Sequence, residues 1–549
     1  MGEEGEAVAG IGAKAAAAED LARWAFRENG PWVLRRDSIG WLDGLDRLRA
    51  AEQADVPRLL QPSWIPPLRR FGQAACGIGG ALVLWWIGDR RRGGEVSRAG
   101  LSRRLREAFE HLGSAYIKLG QIVSSGRGLF PDELVDEFKR CRDQVPPEPF
   151  EAVRKVVESD LGRPLEDVFA SFDRECLASA SIAQVHAATL CSGETVVVKV
   201  QRPKVAQLVR RDIAAMAWIA PRLVGRIPVA ALANPPALVE LFAETILEEL
   251  DFRLEAENML DVAHVLRDAG QEAIVVPRPH PELVTRRVLV MERLEGFTYD
   301  DVAGMKAAGV DTEAVLRSMM IAFLEGAMIY GVFHGDLHGG NLVVMADGRV
   351  ALFDYGITGR MSEDERTAFL RLMMTGAMND VRGQLAAIRD LGALDADADL
   401  DELMTTLKLD QPVKDPTKMS GEEIATEVQQ VLKVLLKQGA RLPKPLMLYA
   451  KDMLFFDGAV AELAPDLNMF AEMARIYTYF VQRHGATIAA RIGFDPAQTS
   501  LDLTGVKASL GLNEGVESIT HRELQERRQI IQRKFEESGA RLPRIDPTD

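Results

Sequence analysis

The sequence predicts an α+β fold in two lobes, on three observations. Short β-branched, alternating runs gather in the middle of the chain. Helical periodicity fills most of what lies on either side, and a Gly- and His-rich string with two short strands introduces the last, helical part. The 549 residues allow about two to four domains. Hydrophobic residues at 47% and charged residues at 27% exclude collagen-like, wholly disordered and polytopic membrane classes. With 66 Lys and Arg against 81 Asp and Glu, the net charge of -15 gives a nucleic acid no global reason to bind.

Four cysteines, Cys76, Cys141, Cys176 and Cys191, form no C-x-x-C pair, so neither a zinc site nor a disulfide framework is signalled and a reducing compartment is expected. The N-terminus is acidic and Ala-rich, without the cationic start and early apolar run of an export signal. The abundance of Arg and Ala points to a bacterial source with a GC-rich genome.

Taken in order, residues 1–18 read as a loose tail within a poorly ordered or helical region, 1–63. A helical extension follows over 64–165. Within it Phe71 to Ile87 carries no charge, is flanked by Arg69, Arg70 and Arg90 to Arg92, and ends in Trp85 and Trp86, which suit a membrane interface. Gly77, Gly79 and Gly80 weaken it as an isolated helix, so a buried core helix is the competing reading. Residues 96–125 form one amphipathic helix carrying KLGQ at Lys118 to Gln121, with two more helical stretches before the Pro-rich stop at Val145 to Pro149 and a third over Phe150 to Leu161.

The small lobe spans 166–296. SIAQVHAATL and ETVVVKV read as strands joined at Ser192 and Gly193, and RRVLVMERLEG closes the lobe as a further strand. Between them run helices over Ala206 to Leu223 and Leu238 to Asp268. The large lobe, 297–500, has a helix over Val315 to Tyr330, then HGDLHGGN, then strands at Leu342 and Arg349. A helical tail fills 501–549.

The chemistry concentrates in HGDLHGGN, His334 to Asn341, and LFDYG, Leu352 to Gly356. Phosphoryl transfer needs one carboxylate for the nucleophile's proton, and an amide oxygen plus a second carboxylate to hold Mg²⁺ against phosphates. Asp336, Asn341 and Asp354 supply that set, with Asn341 five residues after Asp336 as in a kinase catalytic loop. Acidic turn residues between strands are the alternative reading. His334 and His338 are four apart, but a zincin would need them on a helix with an intervening Glu, and the string is Gly-rich without one. Lys199 stands on a strand, from which a lysine can reach the α- and β-phosphates. Glu249, Asp251 and Glu255 on the following helix are its candidate partners, Asp251 and Glu255 sharing a face. No G-x-x-x-x-G-K-[ST] loop is present. In place of a Gly-rich loop stands LASASIAQVH, whose small side chains let amides approach phosphates but whose Ala and Ser make a stiffer turn.

Together these strings resemble the UbiB/AarF family of atypical, protein-kinase-like proteins. Lys118, Gly120 and Gln121 match its K-x-G-Q motif, LASASIAQVH its Ala-rich loop, VKVQRP its strand lysine, Glu249 and Asp251 its E-x-D motif, and HGDLHGGN and DYG its catalytic and metal loops. The resemblance implies a bilobal protein-kinase-like fold with a helical K-x-G-Q extension and a mostly helical C-terminal lobe. It implies ATP and Mg²⁺ as cofactors, with Asp336, Lys199 and Glu255 catalytic and Asn341 and Asp354 on the metal. Ala178, Ser179, Ala180, Ser181, Lys199, Glu292, Asn341 and Asp354 would contact nucleotide, and Lys118, Gln121, Glu249 and Asp251 would be regulatory.

The implied activity is ATP hydrolysis or phosphorylation of a small lipid-related molecule supporting quinone or isoprenoid-lipid metabolism. The partners would be ATP and ADP, a lipid or quinone precursor, and the cytoplasmic face of a bacterial membrane, touched peripherally or through one anchor. This chain departs from the family at Ala183, where Gly is usual, at Gly339, where Pro is usual, and after Arg491, where the C-terminus is charged. HGDLHGGN also resembles aminoglycoside and choline phosphotransferases, which lack K-x-G-Q and E-x-D. A nucleotide-binding pseudokinase scaffold is the non-enzyme alternative.

Overall fold

A computed structural model describes residues 25–27, 30–32, 34–35, 39–61, 68–124, 132–140, 146–223, 235–409, 411, 418–420, 423, 431, 434, 443–493, 500–513 and 515–537. The expected tail at 1–18 and Val145 of the Pro-rich stop lie outside these residues. From the N-terminal side come α1 (Leu45–Leu60), α2 (Leu68–Gly88), α3 (Gly94–Leu112), α4 (Ser114–Ser124), α5 (Asp132–Phe138) and α6 (Phe150–Leu161).

The single helix expected over 96–125 is therefore two. The break falls at Gly113, whose φ of 98° is open to glycine and closed to most L-residues, and Ser114 begins the next helix. Of the two helical stretches expected between 125 and 145, α5 lies among the described residues.

The small lobe is a mostly antiparallel sheet. Its strands β1 (Phe169–Phe172), β2 (Ala178–Ser179), β3 (Ala183–Leu190), β4 (Thr195–Gln201), β6 (Pro279–Val284) and β7 (Val288–Glu292) run in the order β1-β3-β4-β7-β6, with β2 on β3. The β3–β4 turn is where Ser192 and Gly193 place it. Alternation along β4 decides the lobe. Val196, Val198 and Val200 point to one face and pack with Val288 and Val290 of β7 against Val153, Val156 and Val157 of α6. Val197, Lys199 and Gln201 point to the other face, where α7 (Val205–Leu223), α8 (Pro235–Glu248) and α9 (Phe252–Ala269) lie.

The helix expected over 238–268 is also two. Asp251 is not on its face but is the N-cap of α9, accepting from the Arg253 backbone N–H at 3.1 Å, so Glu255 falls in the first turn of the new helix.

Strand β5 (Ile274–Val275) joins the large lobe's small sheet, ordered β5-β11-β10-β8, with β8 (Phe297–Thr298), β10 (Leu342–Val344) and β11 (Val350–Leu352). The pair β9 (Val332–His334) and β12 (Thr358–Arg360) brackets the loops that carry HGDLHGGN and DYG. Around them stand α10 (Val302–Ala307), α11 (Thr312–Glu325), α12 (Glu363–Ala377), α13 (Val381–Asp390), α14 (Leu400–Thr406), α15 (Lys444–Leu463), α16 (Met469–Ile492), α17 (Thr504–Ser509) and α18 (His521–Glu537). The fold is thus α+β, with one main hydrophobic core running from the extension through both lobes.

Two further points bear on the extension. Residues from Ala25 onward pack into this core: Leu34, Ile39 and Leu45 are buried, and Trp32 and Trp41 donate to the Pro279 and His280 carbonyls. The base of α2 is fixed by Arg70, which grips Asp212 of α7 through both carboxylate oxygens at 2.6 and 2.8 Å and donates to the Leu112 carbonyl. Asp212 is fully buried, so this ion pair is one firm tie between extension and small lobe.

Candidate active site

The strand pattern puts Lys199 on the inner face of β4, and α9 brings Glu255 to meet it. Lys199 Nζ lies 2.7 Å from Glu255 Oε1 and 3.0 Å from Asp354 Oδ1. The ammonium also sits 5.4 Å from the Phe252 ring centroid. Asp354 holds a φ of 57°, which turns its carboxylate back toward the lysine, and its Oδ1 accepts from the Gly356 N–H.

The catalytic loop is held from several sides. His334 donates through Nε2 to the Phe353 carbonyl and accepts the Asp336 N–H at Nδ1, so both of its ring nitrogens are used within the loop. His338 Nδ1 accepts the Gly340 N–H. Loop shaping thus uses both ring nitrogens of His334 and Nδ1 of His338. Asn341 donates from Nδ2 to the Asp336 carbonyl at 3.0 Å, which leaves its amide oxygen for a cation. Among the described residues no group of three or more His, Cys, Asp and Glu side chains is arranged to hold a metal by itself. A phosphate-bridging Mg²⁺ needs less from the protein, one carboxylate and one amide oxygen, and Asp354 and Asn341 fit it.

Helix α4 lies across the mouth of the cleft. Lys118 Nζ is 2.9 Å from Glu249 Oε1 and 3.8 Å from Asp336 Oδ2. Asp251, the other acid of E-x-D, does not join it; its carboxylate is taken by Arg253. Gln121 follows one turn after Lys118 on the same helix, its carbonyl accepting from Ser124.

The charges oppose one another in a confined space. Four carboxylates, Glu249, Glu255, Asp336 and Asp354, face three lysines, Lys118, Lys199 and Lys451. Burial would lower Lys199, but Asp354 and Glu255 outweigh it and hold the ammonium charged. Lys118 is held charged in the same way by Glu249, Asp336 and Asp354. Glu255 carries the cost: burial, with Asp354 and Glu249 nearby, outweighs Lys199 and pushes its carboxyl to about 7. Asp354, 40% exposed, is held at about 2, since Lys199 and Lys118 overcome burial. Asp336 is pulled well below the usual range, first by Lys451 and then by Lys118, against burial. The excess of carboxylates over lysines suits a cation entering beside Asp354.

The Ala-rich loop has its own clamp. Ala178 and Ser179 form β2 on β3, and Arg202 of the QRP string donates to the Ala180 carbonyl at 3.0 Å and to Ser179 Oγ at 2.7 Å, with Ser181 buried beside them. Ala183, in the position of the family's usual Gly, is buried at the start of β3. The Glu292 carboxylate does not face the cleft. It is fully buried against Arg27 at 2.6 Å and accepts the Arg278 N–H, because the N-terminal segment packs over the end of β7.

Three groups escaped the sequence reading. Asn258 of α9 donates to the Tyr355 carbonyl and accepts from Arg360, tying α9 to DYG. Asp452 of α15 accepts the Leu337 N–H at 3.0 Å, burial holding its carboxyl well above the usual range. Its neighbour Lys451 pairs with Asp336. Asn258 follows Glu255 by one turn, a signal that could have been used. Lys451 and Asp452 sit in an ordinary helical pattern about 100 residues past DYG and gave none.

Residues 140–387 match the ABC1 atypical kinase-like domain. An uncharacterized protein of Mycobacterium tuberculosis is 36% identical over 67% of this chain and 76% of its own length. An uncharacterized aarF domain-containing protein kinase of Arabidopsis thaliana, chloroplastic by its name, is 31% identical over 75% of this chain and 82% of its own length. A probable protein kinase UbiB of Pseudomonas paraeruginosa is 32% identical over 72% and 73%. With its kinase-like cleft and these relatives, the chain belongs to the UbiB/AarF family of ABC1 atypical kinase-like proteins.

Proposed function

We propose that this protein binds ATP with Mg²⁺ and transfers or hydrolyses its terminal phosphoryl group, the acceptor being a small lipid-related molecule such as a quinone or isoprenoid precursor. The observation that carries the reading is the convergence of Lys199, Glu255, Asp354, Asn341 and Asp336 on one cleft between the lobes. Lys199, oriented by Glu255, faces the α- and β-phosphates. Asp354 and Asn341 would hold Mg²⁺, whose charge would offset that of the phosphates. Asp336 orients the acceptor hydroxyl or water and takes its proton. Helix α4 reaches Glu249 and Asp336 through Lys118, a contact that favours a small acceptor over a protein segment.

The membrane part of the proposal rests on α2. It is 21 residues long and apolar enough to cross a membrane, and only 11% of its apolar window is buried. Val83, Leu84, Trp86 and Ile87 are exposed at its end, next to Arg90 and Arg91. The two tryptophans differ: Trp85 turns inward and donates to Ser97, while Trp86 is exposed. Such a face suits peripheral or single-anchor attachment at the cytoplasmic membrane surface, with no nucleic acid partner.

A second reading is favoured by one observation. Lys118 and Lys451 both lie against Asp336, and a carboxylate that stays paired with them is not free to take a proton from an acceptor. ADP release by purified protein, with and without anionic vesicles and quinone-like phenols, decides between them. Release that vanishes in Asp354→Asn supports turnover. Nucleotide binding without release in any mixture supports the scaffold, and release that survives the substitution comes from a contaminant.

A further inference from the structure

The cation on the acceptor side of the cleft comes from neither the catalytic loop nor the small lobe. HGDLHGGN contains no Lys or Arg. Lys199 is committed to Glu255 and Asp354, and Lys118 lies nearer Glu249 than Asp336. Lys451, from the second turn of α15, pairs directly with Asp336 Oδ1, and its side chain keeps 21% exposure. The same helix fixes the loop behind it: Asp452 accepts the Leu337 N–H, and Lys444 holds Glu248 of α8 at 3.0 Å. Lys451 is therefore a partly exposed cation on an anchored helix, beside the carboxylate that would meet the acceptor.

A phosphoryl group in transfer spreads charge over its equatorial oxygens, and fixed cations aimed at them are where such sites gain most of their rate. A long, flexible ammonium is a suitable phosphate partner, because its point charge can move from one anion to another. We propose that Lys451 is a phosphate-binding residue of this cleft, leaving Asp336 for the transferred phosphoryl group when nucleotide and acceptor are in place. The inference rests on the phosphoryl-transfer reading above and assigns the cation on its acceptor side.

The test compares wild type, Lys451→Met and Lys451→Arg by calorimetry, with Mg²⁺-ADP alone and with Mg²⁺-ADP plus aluminium fluoride, which mimics the group in flight. Lys451→Met should bind Mg²⁺-ADP within about 3-fold of wild type, since Lys451 stands apart from Lys199 and Asp354. It should lose about 100-fold of the tightening that aluminium fluoride gives. Lys451→Arg, which keeps the charge and guards against loss of fold, should recover most of it. Full trapping by Lys451→Met, or equal loss of Mg²⁺-ADP and trapped complex in both variants, overturns the assignment. If wild type binds Mg²⁺-ADP but shows no tightening with aluminium fluoride, the phosphoryl-transfer reading falls and takes this inference with it.

Discussion

The two sides of the cleft use the same chemistry, lysine set against carboxylate, but they draw the lysines from different places. On the nucleotide side Lys199 comes from the sheet and meets Glu255 and Asp354, an arrangement built within the small lobe and the DYG turn. On the acceptor side Asp336 meets Lys118 from the N-terminal extension and Lys451 from α15. The first side is assembled within the sheet, its following helix and the DYG turn, although Lys199 and Asp354 are 155 residues apart. The second is closed by elements added on either flank, and access to Asp336 is thereby governed by parts outside the sheet and its loops.

The largest expected effect falls on the nucleotide side. Asp354→Asn should weaken Mg²⁺-ATP binding by about 100-fold or more while leaving the circular dichroism spectrum unchanged. Equal affinity in calorimetry would remove Asp354 from the metal and break the contrast between the sides. Lys199→Met should next cost about 3 kcal/mol in urea unfolding, because it strands Glu255 in the core, and replacing Glu255 by Leu as well should return part of that loss.

Lys118→Met should cost less, about 1–2 kcal/mol, since Glu249 can take up a proton. Burial already holds the Glu249 carboxyl above its ordinary value against the pull of Lys118, and removing Lys118 raises it further. The folded variant then holds a proton that the unfolded chain releases as pH rises, so its deficit should grow from pH 5 to 8 and shrink on acidification. A deficit independent of pH would mean that Lys118 acts through packing alone.

Glu52 on α1 supplies a control, a buried carboxylate without a lysine. Burial first, then Asp251, push it to about 7 against Arg210 and Arg286. Its folded value lies above its unfolded one, so its contribution is complete below about pH 4.5 and is lost as pH rises through about 7. Glu52→Gln should flatten the stability profile across that window. The smallest effect on stability is expected from Trp86→Ser with Ile87→Ser, under about 0.5 kcal/mol because both side chains are exposed. The same pair should lower binding to anionic vesicles about 10-fold, and unchanged vesicle binding would leave α2 without a membrane role.

How much of this was legible in the sequence follows the same division. Period-two alternation set Lys199 opposite Val198 and Val200, and the spacing of Asp336, Asn341 and Asp354 could be read from local turn chemistry alone. The helix breaks were harder. Apolar residues continue at helical spacing through Leu247, Leu250 and Leu254, which hid the cap at Asp251. At Gly113 a glycine followed by serine was a usable signal, but the periodicity of Leu112, Tyr116 and Leu119 outweighed it. Glu292 was expected at the nucleotide from the family resemblance alone, and its carboxylate is taken instead by Arg27, in a segment that local patterns cannot dock. Lys451 lay beyond reach because it sits in an ordinary helical pattern with no motif around it, and only the fold brings it to Asp336, 115 residues away.

That separation has a consequence for how the protein comes into being. Asp336 leaves the ribosome well before Lys451 and Asp452 exist, and at about 5–20 residues per second the gap lasts on the order of 6–20 s. During that interval the residues of the sheet, Lys199 and most of the DYG side have been synthesised, yet the loop around Leu337 has no acceptor for its backbone N–H from α15. A growing chain can thus complete its nucleotide side while its acceptor side is still unset, and the order of synthesis delays closure around Asp336 until α15 has been made.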